Sequence, residues 1–319
     1  WMPNSTVVDM LQDHEGGLWF ATYSQGLAYL PPDWRRFGNV HQFQGELLES
    51  IGLTRSTPDG DGFLISSDAG LFRLDGQGQL SRLLSRKQVD DKALWSVLVL
   101  PDGRILLGGR GQLFWYERHS GRLSSKRIIA GDDPFQRVNL MTLMPDGSIW
   151  MQVHGVGLQQ RSVDGRLLRQ LRPGGPEGLL DELIHQLRPG PDGGLWITSE
   201  GGVQRWHDNQ LVTVSGLPAD LPVYDIVFAY PDLVWLAGEG MIGRYRQAGN
   251  RLQLQEHVGP AEGVPPVSLG GLLLADSGQV WATSSRGLVR WSGKGQVQVF
   301  GISDGLAETE FLHHPPSRN

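Results

Sequence analysis

Gly16–Leu30 reads GGLWFATYSQGLAYL, and the same unit returns as PDGSIWMQVHGVGLQQ (Pro145–Gln160), PDGGLWITSEGGVQRW (Pro191–Trp206) and DSGQVWATSSRGLVRW (Asp276–Trp291). Each copy joins an Asp-Gly-type turn, an apolar strand, a Gly-marked turn and a second strand. Aligning the copies finds seven anchors: Trp19, Leu64, Leu106, Trp150, Trp196, Trp235 and Trp281, spaced by 45, 42, 44, 46, 39 and 46 residues. A period in the low forties made of short strands is the pattern of a β-propeller. The expected fold is therefore all-β, a seven-bladed propeller of four-stranded antiparallel blades.

The fourth copy shows how one repeat makes one blade. Val138–Met144 is the expected first strand, and Pro145-Asp146-Gly147 a tight turn in which Pro fixes φ and Gly accepts a positive one. Ser148–Val153 carries Trp150, His154–Gly157 turns the chain, and Leu158–Arg161 and Arg166–Leu171 complete the sheet. The first copy parses in the same way over about Thr6 to Phe37 and the seventh over about Val267 to Phe300. One such sheet cannot bury both faces, whereas a stacked ring can. The anchors are accordingly read as packing between blades. Trp34, Trp206 and Trp291, near third or fourth strands, read either as the same filling or as a docking surface.

The remaining composition agrees with a ring of short strands. Gly supplies 44 and Pro 19 of the 319 residues, as a chain that turns so often requires. A net charge of -6 without a basic cluster argues against a nucleic-acid partner. No apolar run reaches the ~20 residues of a membrane span. The absence of Cys excludes disulfides and thiol catalysis, and fits an envelope protein as well as a cytosolic one. The opening on Trp1 and the blade-like lead-in Gly305–Phe311 read as one piece of a longer protein, with the propeller over 1–300 and a tail, or the start of a neighbouring blade, over 301–319.

The pattern D-x-x-G-x-[LIV]-W-x-x-[TS]-x-x-G-[LV] after an N-x-[TV]-V-like lead-in resembles the two-component-regulator propeller repeat. Asp13–Leu27, after Asn4–Val8, is its best copy, and Pro191–Val203 and Asp276–Leu288 match well. Leu64 and Leu106 depart from it, as does the shortened turn at Pro231-Asp232-Leu233. The segment Ser303–Phe311 resembles the D-G-L…E-F join between blades of such proteins. The resemblance implies a periplasmic or extracellular sensor region of a membrane-anchored histidine kinase or diguanylate cyclase. Gly-His and Trp-Asp dipeptides of WD repeats do not recur, and Gly16-Gly17 and Gly193-Gly194 lack Kelch spacing. The nearest rival is the streptogramin-lyase-like propeller.

Function is expected on the loops of one rim, since loops on a rigid frame are where recognition is placed. The turns between second and third strands contribute Tyr23, Asp68, Arg110, His154, Glu200, Glu239 and Arg286, and the connections between blades add Trp95, Arg137, His185 and Tyr224. Arg110 and Arg286 could fork onto a carboxylate or sulfate, and Trp95 and Tyr224 could stack on a flat ligand or sugar. His154 with Glu200 or Glu239 is the one pairing that would suit a metal-assisted lyase opening a lactone or ester. The nine histidines are otherwise scattered, and His313-His314 offers only two of the three or four ligands zinc needs. No catalytic residue, cofactor or metal is therefore expected. The partners expected are a small-molecule ligand (sugar, organic acid or peptide), a neighbouring propeller or a second copy in a homodimer.

Overall fold

The computed structural model describes residues 7–12, 18–22, 26–30, 42–43, 46–47 and 53–306, except 91–92, 131–134, 175–177, 219–220, 230–231 and 294–296. Repeats two to seven each form a four-stranded antiparallel sheet whose strands lie side by side in chain order. Their first strands are Leu53–Asp59, Ser96–Val99, Val138–Leu143, Ile184–Pro189, Val223–Ala229 and Leu269–Leu274. In repeat four the others are Ile149–Val153, Gly157–Arg161 and Leu167–Leu171. The only helices among the described residues are short 3₁₀ turns, and none is long and apolar enough to cross a membrane.

Among the described residues the propeller has six four-stranded blades, not the seven expected. Repeat one is a three-stranded sheet, Val7–Gln12, Leu18–Thr22 and Gly26–Leu30, and the next described pairing is a small separate hairpin, Gln42–Phe43 with Glu46–Leu47. Register shows why it is not a spoke. In each of the six full blades, the first-strand residue opposite the anchor lines the central channel: Thr57, Leu98, Thr142, Arg188, Val227 and Leu273. The equivalent residue of repeat one is Leu11, opposite Trp19, and it is 66% exposed, beside Met10 at 61%.

The turn from third to fourth strand has a feature common to the six full blades. All six full blades make that turn through residues with positive φ: Gly78, Gly121, Gly165, Asp208 with Asn209, Gly249 and Gly293. Repeat one has Pro31-Pro32-Asp33 directly after its third strand.

The core lies between blades. Trp150, 1% exposed, packs against Leu187, Leu195 and Ile197 of the next repeat and meets Trp206 at 5.5 Å. Trp196, wholly buried, packs on Ile226, Val234 and Leu236 of the next repeat and against the edge of Phe228. Trp235 meets Trp291 edge-on at 5.1 Å across the sixth and seventh repeats. Trp206 and Trp291 are thus filling between blades, while Trp34 and the side chain of Trp19 lie outside the described residues. On the neighbouring strand, Arg205, Arg244 and Arg290 sit over Trp196, Trp235 and Trp281. The ring faces attract these guanidinium groups.

The repeat's Gly before [LV] has an equally direct cause. At Gly70 and Gly287, φ is 129° and 115°, and an added Cβ would lie 2.0 Å from the carbonyl oxygen of Leu84 or Phe300 at the end of the fourth strand. Only glycine opens the third strand with the fourth so close. One ionic clamp also joins blades: Asp59 of repeat two accepts from Arg73 Nε at 2.9 Å in its own sheet and from Arg118 Nη1 at 2.9 Å in the next. Burial alone would raise the Asp59 pKa, but the two arginines outweigh it and hold the carboxyl below its ordinary value.

Candidate ligand-binding rim and channel

The rim carries two polar arcs. The larger is built from the second-to-third-strand turns of repeats five and six together with the starts of the first strands of repeats five and six and the lead-in to that of repeat seven. His185 Nε2 lies 3.0 Å from Glu200 Oε1, and the His185 ring meets the Tyr224 ring at 4.7 Å. Tyr224 donates to Glu239 Oε2 over 3.4 Å. Ser268 Oγ donates to the same carboxylate over 2.7 Å and sits 3.2 Å from the Tyr224 hydroxyl. Each chain entry is fixed by backbone: Glu239 and Ser268 form a β-bridge, and Glu200 N–H donates to Leu183 O. Burial, opposed by Ser268 and helped by the charges of Glu200 and Glu239, raises the Tyr224 phenol above its usual pKa, so it stays a neutral donor.

The second arc holds Trp95 and Arg137, whose guanidinium lies 4.5 Å from the indole centroid. Arg110 and Arg137 form a β-bridge, and His154 N–H donates to Arg137 O, so three of the expected residues are tied to one connection. Asp68 Oδ1 and Arg137 Nε are buried without a hydrogen-bond partner. Arg110 and Arg286 are exposed. Tyr23 lies outside the described residues, as do His313 and His314.

The pairing that would suit a lyase does not form. Glu200 engages His185, and Glu239 engages Tyr224 and Ser268, while no side-chain bond joins His154 to either carboxylate. Among the described residues no three His, Asp or Glu side chains cluster as metal ligands.

Sequence reading missed the channel. Six first strands enclose a cavity of about 440 Å³. Arg188 grips Asp225 with Nε at 3.0 Å and Nη2 at 2.7 Å, and Asp225, fully buried, also accepts from the backbone N–H of Ile226 and of Leu272. Burial would lower the Arg188 pKa, yet the charge and hydrogen bonds of Asp225 hold it above its ordinary value. Arg55, Gln186 and Asp225 occupy one register position, opposite the residue two beyond the anchor, and a β-bulge precedes each. Bulges re-aim side chains, here at the same level of three spokes. A polar residue recurring at that register position of the first strands was the available signal.

The family model described as two component regulator propeller matches residues 2–24. The chain carries that repeat. No curated protein matches the chain in sequence. Among solved structures, the extracellular domain of a protein assigned as a hybrid two component system from B. thetaiotaomicron is similar over 98% of this chain, with a TM-score of 0.69 and 18% identity. This chain spans 43% of that structure's length. A streptogramin B lyase is similar over 77% of this chain and 82% of its own, with a TM-score of 0.58 and 16% identity. The WD40 propeller of Doa1 gives 0.56 at 12% identity over 78% of this chain and 83% of its own. At these identities the likeness is one of fold.

Proposed function

We propose that this chain is the extracytoplasmic sensing part of a bacterial signal-transduction protein, that its rim is the ligand-binding face, and that it has no catalytic activity of its own. The observation that carries this reading is the arc of His185, Glu200, Tyr224, Glu239 and Ser268. Loops of adjacent repeats gather chemically different groups over a scaffold whose packing is repetitive. The family repeat at the N-terminus and the fold shared with an extracellular two-component domain support it. The ligand is a periplasmic solute, a sugar, organic acid or peptide, stacked on an aromatic and hydrogen-bonded by the carboxylates and hydroxyls. Its binding shifts blade or dimer geometry, and a membrane-anchored parent passes the change to its output.

The test is calorimetric titration of the purified chain with plant-wall sugars, organic acids and peptides, beside Tyr224→Phe and Glu200→Gln. The reading predicts a ligand bound by the wild type and held at least about tenfold more weakly by the variants, a loss of roughly 1.4 kcal/mol. Binding that neither variant changes, or no binding to any solute tried, overturns it.

A further inference from the structure

The channel holds two cations against one carboxylate. Of the charged residues lining it, Arg188 takes both side-chain bonds to Asp225, whereas Arg55 feels that carboxylate's charge without bonding to it. Arg55 Nε and Nη1 are buried and have no hydrogen-bond partner. Gln186, only 2% exposed, leaves its Nε2 unpaired as well, and both residues line the same cavity. Around them stand neutral groups: Ser56, Thr57, Asn139, Thr142 and apolar positions such as Leu98 and Leu273. The unmet groups among the channel-lining residues are all donors. An isolated buried guanidinium and an unpaired buried amide each carry a desolvation cost. Burial, opposed by the charge of Asp225 and helped by that of Arg188, pushes the Arg55 pKa down to about 10.

We infer that the central channel is an anion site, in which Arg55 and Gln186 together bind a small carboxylate or inorganic oxyanion. The charge count fits a single negative charge: Arg55 and Arg188 against Asp225 leave one positive charge over. The donors come from repeats two and five, so the anion ties together first strands that are not chain neighbours. The Arg188–Asp225 pair is the fixed frame, because Asp225 also holds the backbone of Leu272 in repeat seven. The site is separate from the rim, and it stands or falls independently of the sensor reading.

The experiment is thermal unfolding of the full chain in a non-coordinating buffer at fixed ionic strength. Sodium acetate, sodium succinate, sodium sulfate and sodium phosphate are each titrated against a sodium chloride control, with Arg55→Met and Gln186→Leu alongside. An anion that occupies the native channel raises the wild-type Tm in a saturable way that chloride does not reproduce. Acetate or succinate as the effective probe identifies a carboxylate site, and sulfate or phosphate an oxyanion site. Arg55→Met abolishes the response while leaving the anion-free Tm equal or higher, since it removes an uncompensated charge. Gln186→Leu weakens the apparent affinity by roughly tenfold, and gives the answer by itself if Arg55→Met does not fold. No saturable shift with any of the four anions, or a shift that both variants retain, overturns the inference. So does an Arg55→Met that folds, is less stable than the wild type without anion and leaves the anion response intact.

Discussion

Repeat one and repeat four begin from nearly the same sentence, GGLWFATYSQGL and PDGSIWMQVHGVGL, and end in different places. Both form the first three strands, with matching register around Trp19 and Trp150 and a bulge near the start of each first strand. Repeat four then turns through Gly165 and adds Leu167–Leu171, and its Thr142 faces the channel. Repeat one meets Pro31-Pro32, forms no fourth strand among the described residues, and leaves Met10 and Leu11 exposed. The motif specifies hairpins. A place in the ring also demands a fourth strand and two apolar faces, and these are set by residues the motif does not contain.

The contrast makes stability predictions that differ by position. The largest effect is expected between blades: Trp196→Ala, which empties a fully buried site against the next blade, costs about 3–5 kcal/mol in guanidinium unfolding. Leu11→Ala, on an exposed strand, stays within about 0.5 kcal/mol. Equal losses at the two sites would put repeat one inside the ring after all.

A smaller effect belongs to the clamp between the second and third repeats. Asp59→Asn leaves Arg73 and Arg118 without their shared carboxylate and costs roughly 1–3 kcal/mol at neutral pH. Because the folded Asp59 pKa is depressed, its contribution is complete above the ordinary carboxylate pKa and is lost as pH falls through the lower folded value. The stability gap between wild type and variant therefore narrows in acid. A gap that is the same at pH 7 and pH 3 would show that the pair contributes packing and not charge.

The parts readable from sequence share a cause. Anchors, turns and strand order in repeats two to seven follow from local chemistry: Pro-Asp-Gly turns, alternating apolar strands and the Gly before [LV]. The rim residues could be named in advance because the turns place them, and His185, Glu200, Tyr224 and Glu239 lie together, as do Trp95 and Arg137. Which partner each would choose was not readable. Glu200 pairs with His185 of its own sheet and not with His154 of the preceding repeat, and Ser268 enters from a strand start with no motif of its own. The channel was hidden because Arg55, Gln186 and Asp225 lie far apart in the chain and come to one register level only in the folded ring. The blade count departs from seven because the repeat specifies hairpins, and hairpins alone do not make a spoke.

Thiol labelling reads that count most directly, because the native chain has no Cys and a single introduced one reports alone. Leu11→Cys and Thr142→Cys sit at matched register, opposite Trp19 and Trp150. A six-bladed ring predicts that the first reacts with a maleimide about as fast as a free thiol and that the second, at a position 9% exposed, is strongly protected under native conditions. Equal protection at both positions would contradict it, and would restore repeat one as a seventh spoke.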